Sequence, residues 1–251
     1  MLRKNKQRRY LAKKEKQWRQ ELKAFGASQD DEALHRLRVA LKKMKAFARF
    51  STACSGKDSM KDFDPLKKVF HQAGTIRDAG NHIHLLEHFH PAPDTYKKEQ
   101  EHIQHEASDR FVGQLDQYGK QGKKAGRRLL ADIRAIRFGC IRDWYGRQLI
   151  GVAVGLTASG NRLHKSRKKI KELLYVLSFL PSRLVRRLRL NEDYLDRLQD
   201  AIGQWHDAMI VASEWAGKDL AGSQAMVREC HQKEAAVREL AGDFYRRAHL
   251  D

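Results

Sequence analysis

One segment of the sequence carries a histidine and four cations at helical spacing with no carboxylate among them. They are His35, Arg38, Lys42, Lys45 and Arg49. Residues three or four apart share one face of an α-helix, so these five form a single row along it. Like charges at this spacing destabilise a helix by about 0.2–0.5 kcal/mol per pair. A polyanion lying along the row would remove that cost, and cations repeating every ~4.5–6 Å of helix rise suit regularly spaced phosphates.

A shorter version of the same row occurs later in the chain. His164, Arg167 and Lys171 repeat the spacing of the first three members of the row. The offset between the copies is 129, the difference between positions 164 and 35. Leu174 and Ser178 then occupy the positions that correspond to Lys45 and Arg49. We therefore expect a second anion site that is shorter than the first.

Two separate segments repeat at this same offset. The segment at 34–43 returns at 163–172, and Gly-Thr-Ile-Arg-Asp-Ala at 74–79 returns as Gly-Gln-Trp-His-Asp-Ala at 203–208. Two segments that share one offset indicate an internal duplication. Gly74 and Gly203, which cost about 1 kcal/mol each inside a helix, are best explained by close helix packing.

The elements that must position these rows all have helical periodicity. The apolar residues beside the first row, Leu34, Leu37, Leu41, Met44 and Ala48, form the face that must enter the core. The pattern predicts an all-α fold with helices near 31–51, 65–89, 95–118, 122–150, 160–180, 192–217 and 221–248. We expect repeats 30–118 and 159–248 to form two helical bundles related by a pseudo-twofold axis and joined by the linking helix 122–150.

The N-terminal segment 1–23 holds ten Lys or Arg and two Glu, which predicts a basic helix or a frayed tail before a single domain over 24–251. The whole chain has 50 Lys and Arg against 31 acids, a formal charge of +19, so an acidic partner is expected. Three cysteines without short spacing argue against a disulfide framework and a zinc ribbon. The longest apolar stretch, 149–156, is too short to span a membrane, so we expect a soluble cytoplasmic protein.

Two segments of the chain each have a copy downstream: Leu-His-Arg-Leu-Arg-Val-Ala-Leu-Lys-Lys-Met-Lys at 34–45 and Gly-Thr-Ile-Arg-Asp at 74–78. With their copies they resemble the two signature helices of the CHAD (conserved histidine α-helical domain) family. The likeness covers roughly residues 30 to 250. It implies two pseudo-symmetric bundles enclosing a basic central channel that binds inorganic polyphosphate, often at polyphosphate granules. The contacts implied by position are His35, Arg38, Lys42, Lys45, Arg49, His164, Arg167 and Lys171. Arg134 and Arg137 of the linking helix are added as further candidate cations.

The second half departs from the family pattern. Ser166 replaces an expected leucine, Glu172 interrupts a basic position, and His206 stands where an arginine before aspartate is more usual. Weaker binding by the second half is therefore expected. Asp78 and Asp207 are candidates to hold a neighbouring Arg or His, or to form ordinary salt bridges between helices.

Three other readings of the sequence remain open. A nucleic-acid-binding protein would also have a basic surface, although few aromatic residues accompany the basic rows. His206-Asp207 is similar to the His-Asp pair of metal phosphohydrolases, but its counterpart Arg77-Asp78 cannot bind a metal through arginine. His84 with His88, and His102 with His105, have spacing compatible with zinc, although a solvated helix end is favoured. We therefore assign no catalytic residue, cofactor or metal, and predict a non-catalytic polyanion-binding protein.

Overall fold

The computed structural model describes residues 1–89, 94–158, 160–215 and 223–250, apart from the side chains of Leu86, His88, Phe89, Trp215 and Ser223. Over these ranges the secondary structure is twelve helices. Two isolated bridges pair Leu2 with Ile136 and Leu190 with His249, and no longer strand occurs in the described ranges. The all-α prediction is confirmed.

The chain divides into two compact units. The first unit contains Met1–Ile83 with Pro93–Ile141, and the second contains His84–Ala92 with Arg142–Asp251. The helices in chain order are α1 (Lys4–Ser28), α2 (Asp31–Ser55), α3 (Ser59–Phe63), α4 (Pro65–Phe89), α5 (Asp94–Val112), α6 (Leu115–Ala131), α7 (Phe138–Leu156), α8 (Asn161–Leu177), α9 (Ser182–Leu188), α10 (Glu192–Trp215), α11 (Ser223–Ala241) and α12 (Phe244–Arg247).

Helix α2, which carries the first basic row, is fixed at both ends by local sequence. The Asp30 carboxylate accepts a hydrogen bond from the Ala33 amide at 2.9 Å, and Gly56 ends the helix in the left-handed conformation, φ 73°. The apolar row predicted beside the cations, from Leu34 to Ala48, is completely buried. This burial sets the rotation of α2 and so fixes the direction of the neighbouring basic row.

Helix α8, which carries the second row, is positioned in the same way in the second unit. Leu163, Ile170 and Leu173 are buried, and α8 packs against α10. The helix ends at Leu177, shortly before Pro181 and close to the predicted boundary. The second row therefore also borders a buried helix face.

The linking helix predicted over 122–150 is two helices, α6 and α7, separated by the segment 132–137. In this segment Leu2 and Ile136 exchange backbone hydrogen bonds of 2.7 and 3.0 Å, and Gln7 Nε2 donates to the Arg134 carbonyl at 2.7 Å. These partners from the start of the chain satisfy the backbone outside a helix. The segment contains no Gly or Pro that would have revealed the break.

The basic N-terminal segment is a helix that packs into the first unit. Helix α1 contacts α2 and α6, and it buries Leu11, Trp18, Leu22 and Phe25. Of the two possibilities that the sequence left open, a helix or a frayed tail, the structure has the helix. Nothing in the described ranges is both long enough and apolar enough to cross a lipid bilayer as a helix.

Candidate anion-binding site

Arg38 is the second residue of the first row, and it is hydrogen-bonded to the backbone of α4. Its Nη1 donates a hydrogen bond to the Phe70 carbonyl at 3.3 Å. The guanidinium occupies the space beside Gly74, where an added Cβ would lie 2.8 Å from Nη1. Gly74 is therefore explained by the room that Arg38 needs, a specific form of the close packing expected from the sequence.

The Phe70 ring lies under two cations of the row. The Arg38 Cζ is 5.0 Å and the Lys45 Nζ 5.4 Å from the ring centroid, both within the range of a cation–π contact. Phe70 was not among the predicted site residues. Phe70 lies one turn before Gly74 on α4. Because Gly74 already indicated a place of close packing, its neighbour one turn away was the available signal for a residue in contact with the row.

The rest of the first row differs in exposure along the helix. Lys42 and Lys45 are half-buried, whereas His35 and Arg49 at the two ends are exposed. Burial lowers the pKa of Arg38, while the Asp78 carboxylate opposes that shift and Arg77 adds to it. An arginine stays protonated despite such a shift. The row is thus recessed at its centre and open at both ends.

The second unit repeats the central contact. The Arg167 Nε donates to the Gln199 carbonyl at 3.2 Å. An added Cβ at Gly203 would lie 2.6 Å from Arg167 Nη2. The arginine, the accepting carbonyl and the glycine correspond, at the offset of the sequence repeat, to Arg38, Phe70 and Gly74. This agreement supports the duplication, which stays a prediction.

His164 departs from the pattern of its counterpart His35. Its ring stacks on His206, with centroids 3.8 Å apart and an interplanar angle of 29°. Burial, His206, Lys168 and Arg167 together lower the pKa of His164 to about 4. The pKa of His206 is also lowered, chiefly by burial and against the opposing effect of Asp207. Both rings are therefore neutral at neutral pH.

Lys171 has acidic neighbours that affect its charge. Burial and Arg167 lower the pKa of Lys171, whereas Asp200 and Asp196 on α10 raise it. The two carboxylates lower the positive potential at this end of the second row. Weaker binding by the second half, expected from its departures from the family pattern, stays a prediction.

A scan against protein-family models places residues 6–216 in the CHAD domain. The chain belongs to the CHAD family. A search of the solved structures finds the CHAD domain from the plant Ricinus communis, with a TM-score of 0.63 and 14% sequence identity, covering 96% of this chain and 88% of that one. This likeness extends over both units and shows the fold alone. No curated protein matches the chain.

Two of the predicted cations of this CHAD chain lie in the segment between α6 and α7. Arg134 and Arg137 are exposed in the segment between α6 and α7. The Arg134 carbonyl accepts its hydrogen bond from Gln7 of α1, and the Arg134 charge acts on Asp132. Asp132 of this segment pairs with Lys57, just beyond the end of α2, and the Cys54 Sγ of α2 donates to the Cys140 carbonyl at 3.6 Å. The participation of Arg134 and Arg137 in the anion site stays a prediction.

No group of three or more potential metal ligands occurs among the side chains that the structure describes in this CHAD chain. The His102 Nε2 lies 3.3 Å from the Glu106 Oε1, and the His105 Nε2 lies 3.5 Å from the Asp109 Oδ2. Each pair is one turn apart on α5. The possible zinc pair of His84 with His88 includes a side chain outside the described residues. Zinc binding there stays an untested alternative.

Proposed function

We propose that this CHAD protein binds inorganic polyphosphate without catalysis, through the row on α2 and its shorter counterpart on α8. The observation that carries the proposal is the recessed centre of the first row. Arg38 and Lys45 are held over Phe70, and Arg38 is hydrogen-bonded to α4. Cations that are already fixed lose little side-chain entropy when an anion binds.

The partial burial of the row favours a narrow ligand. A linear phosphate chain presents negative charge in every direction and can lie along recessed cations. A duplex nucleic acid is rigid and wide, and it reaches such cations less easily. Membership of the CHAD family supports the same choice by association.

The protein acts by binding rather than by hydrolysis in this proposal. His206, the candidate metal ligand of the phosphohydrolase alternative, is stacked against His164. Its neighbours Arg167 and Lys168 add positive charge, which disfavours a divalent cation. We place the protein in the cytoplasm, at polyphosphate granules.

The test measures polyphosphate affinity of a variant with three neutralised cations, Lys42→Gln, Lys45→Gln and Arg49→Gln. Arg38 is left in place because its replacement would remove the hydrogen bond to the Phe70 carbonyl of α4. We expect affinity at physiological salt to fall about tenfold or more, equivalent to about 1.4 kcal/mol. Helical circular dichroism should be unchanged.

The matched control neutralises three exposed lysines elsewhere in the first unit, Lys61→Gln, Lys68→Gln and Lys98→Gln. It has the same net charge as the test variant, so it measures the effect of general electrostatics alone. We expect its affinity for polyphosphate to fall by less than about threefold. Equal losses in both variants would refute the α2 site. Release of phosphate by the unaltered protein with added Mg²⁺ or Mn²⁺ would refute the non-catalytic assignment.

A further inference from the structure

Helices α1 and α6 carry a second positive surface that the proposed site does not use. Eight cations on α1 are exposed, and five more on α6. Glu15 on α1 is buried and Glu21 is half-buried, so α1 has no exposed carboxylate. Asp116 in the first turn of α6 is the exposed acid of that helix. The outer faces of these two helices are therefore almost purely cationic.

Two other helices of the same chain, α5 and α11, balance their surface charges. Helix α5 pairs Arg110 and His102 with Glu106, and α11 pairs Lys233 with Glu229. Such pairs one turn apart stabilise a helix by about 0.2–0.5 kcal/mol each. Helix α1 has one such pair, in which the Arg19 Nε lies 3.7 Å from the Glu15 Oε1, but Asp116 is the single exposed acid of α1 and α6 together. Solvation of an ordinary mixed-charge helix surface therefore does not account for these cations.

The two basic helices are packed closely and run antiparallel. Gly26 faces Leu115, Trp18 faces Gly122, and Glu15 faces Gly126. An added Cβ at Gly126 would lie 2.7 Å from the Glu15 Cδ, and Gly122 admits the Trp18 ring. Close packing on glycine brings the flanking cations of the two helices toward each other.

The cations beside this contact lie on one side of it. On α1 they come directly after residues of the buried face, on the flank opposite the one that meets α2 through Tyr10 and Glu21. On α6 they line the flank opposite buried Tyr118 and Ala125. In antiparallel helices these two flanks point to the same side. The set, which we call the α1–α6 surface, is Arg8, Lys16, Arg19 and Lys23 on α1 with Lys120, Lys123 and Arg127 on α6, all exposed.

We propose that the α1–α6 surface binds duplex nucleic acid through its phosphate backbone, without reading base sequence. The proposal does not depend on polyphosphate binding at α2. Two cationic rows on a broad, exposed face can meet the phosphates of a wide and rigid partner. Helix α1 is about 37 Å long, close to one turn of a duplex at about 34–36 Å.

The side chains of the surface argue against two other occupants. Single-stranded nucleic acid is bound on aromatic stacking platforms, and the α1–α6 surface includes no aromatic ring. Membrane-surface helices insert apolar side chains, and of the exposed large hydrophobic residues only Met1 belongs to the described part of the first unit. Charge without aromatic or apolar anchors is what backbone contacts to a duplex require.

The test uses fluorescence anisotropy of a labelled duplex of about 20 base pairs. The variant replaces four exposed lysines of the surface, Lys16→Ala, Lys23→Ala, Lys120→Ala and Lys123→Ala. We expect a loss of affinity of about 100-fold and a salt-dependence slope smaller by about 3–4, because each lost phosphate contact removes about one counterion from the binding equilibrium. Two duplexes of unrelated sequence should bind equally.

Three controls keep the result interpretable. The variant Lys61→Ala, Lys68→Ala, Lys98→Ala and Lys165→Ala has the same net charge and should keep the slope of the unaltered protein. Replacement of the four surface lysines by arginine should keep duplex binding. The α2 triple variant should bind duplex normally while losing polyphosphate, so this proposal and the proposed function can fail separately.

Several outcomes would overturn the proposal. Equal losses from the surface variant and its charge-matched control would mean that diffuse charge is responsible. A clear preference for one duplex sequence would contradict backbone recognition. Binding to phosphatidylserine vesicles without binding to duplex would assign the surface to a membrane instead.

Discussion

The stacked rings of His164 and His206 give the second unit a pH-dependent contact. Bound anions next to Arg167 and Lys168 would offset the positive charge that lowers the pKa of His164. Protonation of the His164–His206 pair would then accompany anion binding. The first unit has Arg77 where the second has His206, so its response to pH should be smaller.

The histidine pair predicts a loss of stability on acidification. The pKa of His164 is about 4 in the folded chain, against about 6.5 when unfolded. Between these values the unfolded chain binds more protons, so this contribution is present above pH 6.5 and is lost as the pH falls toward 4. Denaturant unfolding as a function of pH should show a shallower decline for His164→Gln than for the unaltered protein.

Added polyphosphate should reverse this effect in the unaltered protein. The affinity of the unaltered protein for polyphosphate should increase as the pH falls below about 6.5. Calorimetry in two buffers should detect proton uptake on binding. His231→Gln serves as the control, since His231 is exposed on α11 and belongs to neither basic row, whereas His164 is stacked on His206. Identical pH profiles for His164→Gln and the parent would contradict the assignment of this contribution to the pair.

At the scale of elements, α1 is a structural part of the first unit as well as a charged surface. Its buried residues lie against α2 and α6, and Trp18 fills the space left by Gly122. The same helix therefore packs one face into the core and presents the other to solvent. Its basic composition alone suggested an appendage, because the ten cations of the segment 1–23 obscure the spacing of the apolar positions.

Replacement of Gly122 by alanine is expected to destabilise the protein by about 1–3 kcal/mol, because the new methyl group would collide with the rigid Trp18 ring. Gly119→Ala, one turn earlier in the same helix, meets nothing within 4 Å and should stabilise by up to about 1 kcal/mol. Denaturant titration of the two variants measures the difference. Equal effects of the two substitutions would contradict the close packing of α1 on α6.

At the scale of the whole molecule, positive charge is the dominant electrostatic property. The formal charge is +19 over 251 residues, and the exposed cations of α1 and α6 are closely grouped. Such charge opposes the compact state by self-repulsion. A bound polyanion would therefore also stabilise the fold.

We expect the melting temperature to rise when sodium chloride increases from about 0.01 M to about 1 M, since the Debye length falls from about 30 Å to about 3 Å. The rise should be smaller in the variant with four lysines replaced on the α1–α6 surface, because that variant has less charge to screen. Scanning fluorimetry over a salt series provides the measurement. A melting temperature that falls with salt would indicate that attractive ion pairs outweigh the repulsion.

The amino-acid sequence by itself determined the helical class, the buried faces and the rotation of α2 and α8. Helical periodicity is a local property, so Leu34 and Leu37 identified the core side and thereby the position of the basic row. Asp30 and Gly56, which cap α2 in the structure, are local contributions of the same kind. The family was also recognisable at this level, because the repeated segments lie within single helices.

Only the tertiary structure decided which groups meet across helices. Phe70 under Arg38, the stack of His164 on His206, and the break between α6 and α7 each depend on partners far away in the chain. Hydrogen bonds to a backbone carbonyl on another helix leave no periodic trace in the sequence. The position of Arg134 and Arg137 outside a helix has the same cause, because contacts from the start of the chain hold the segment between α6 and α7.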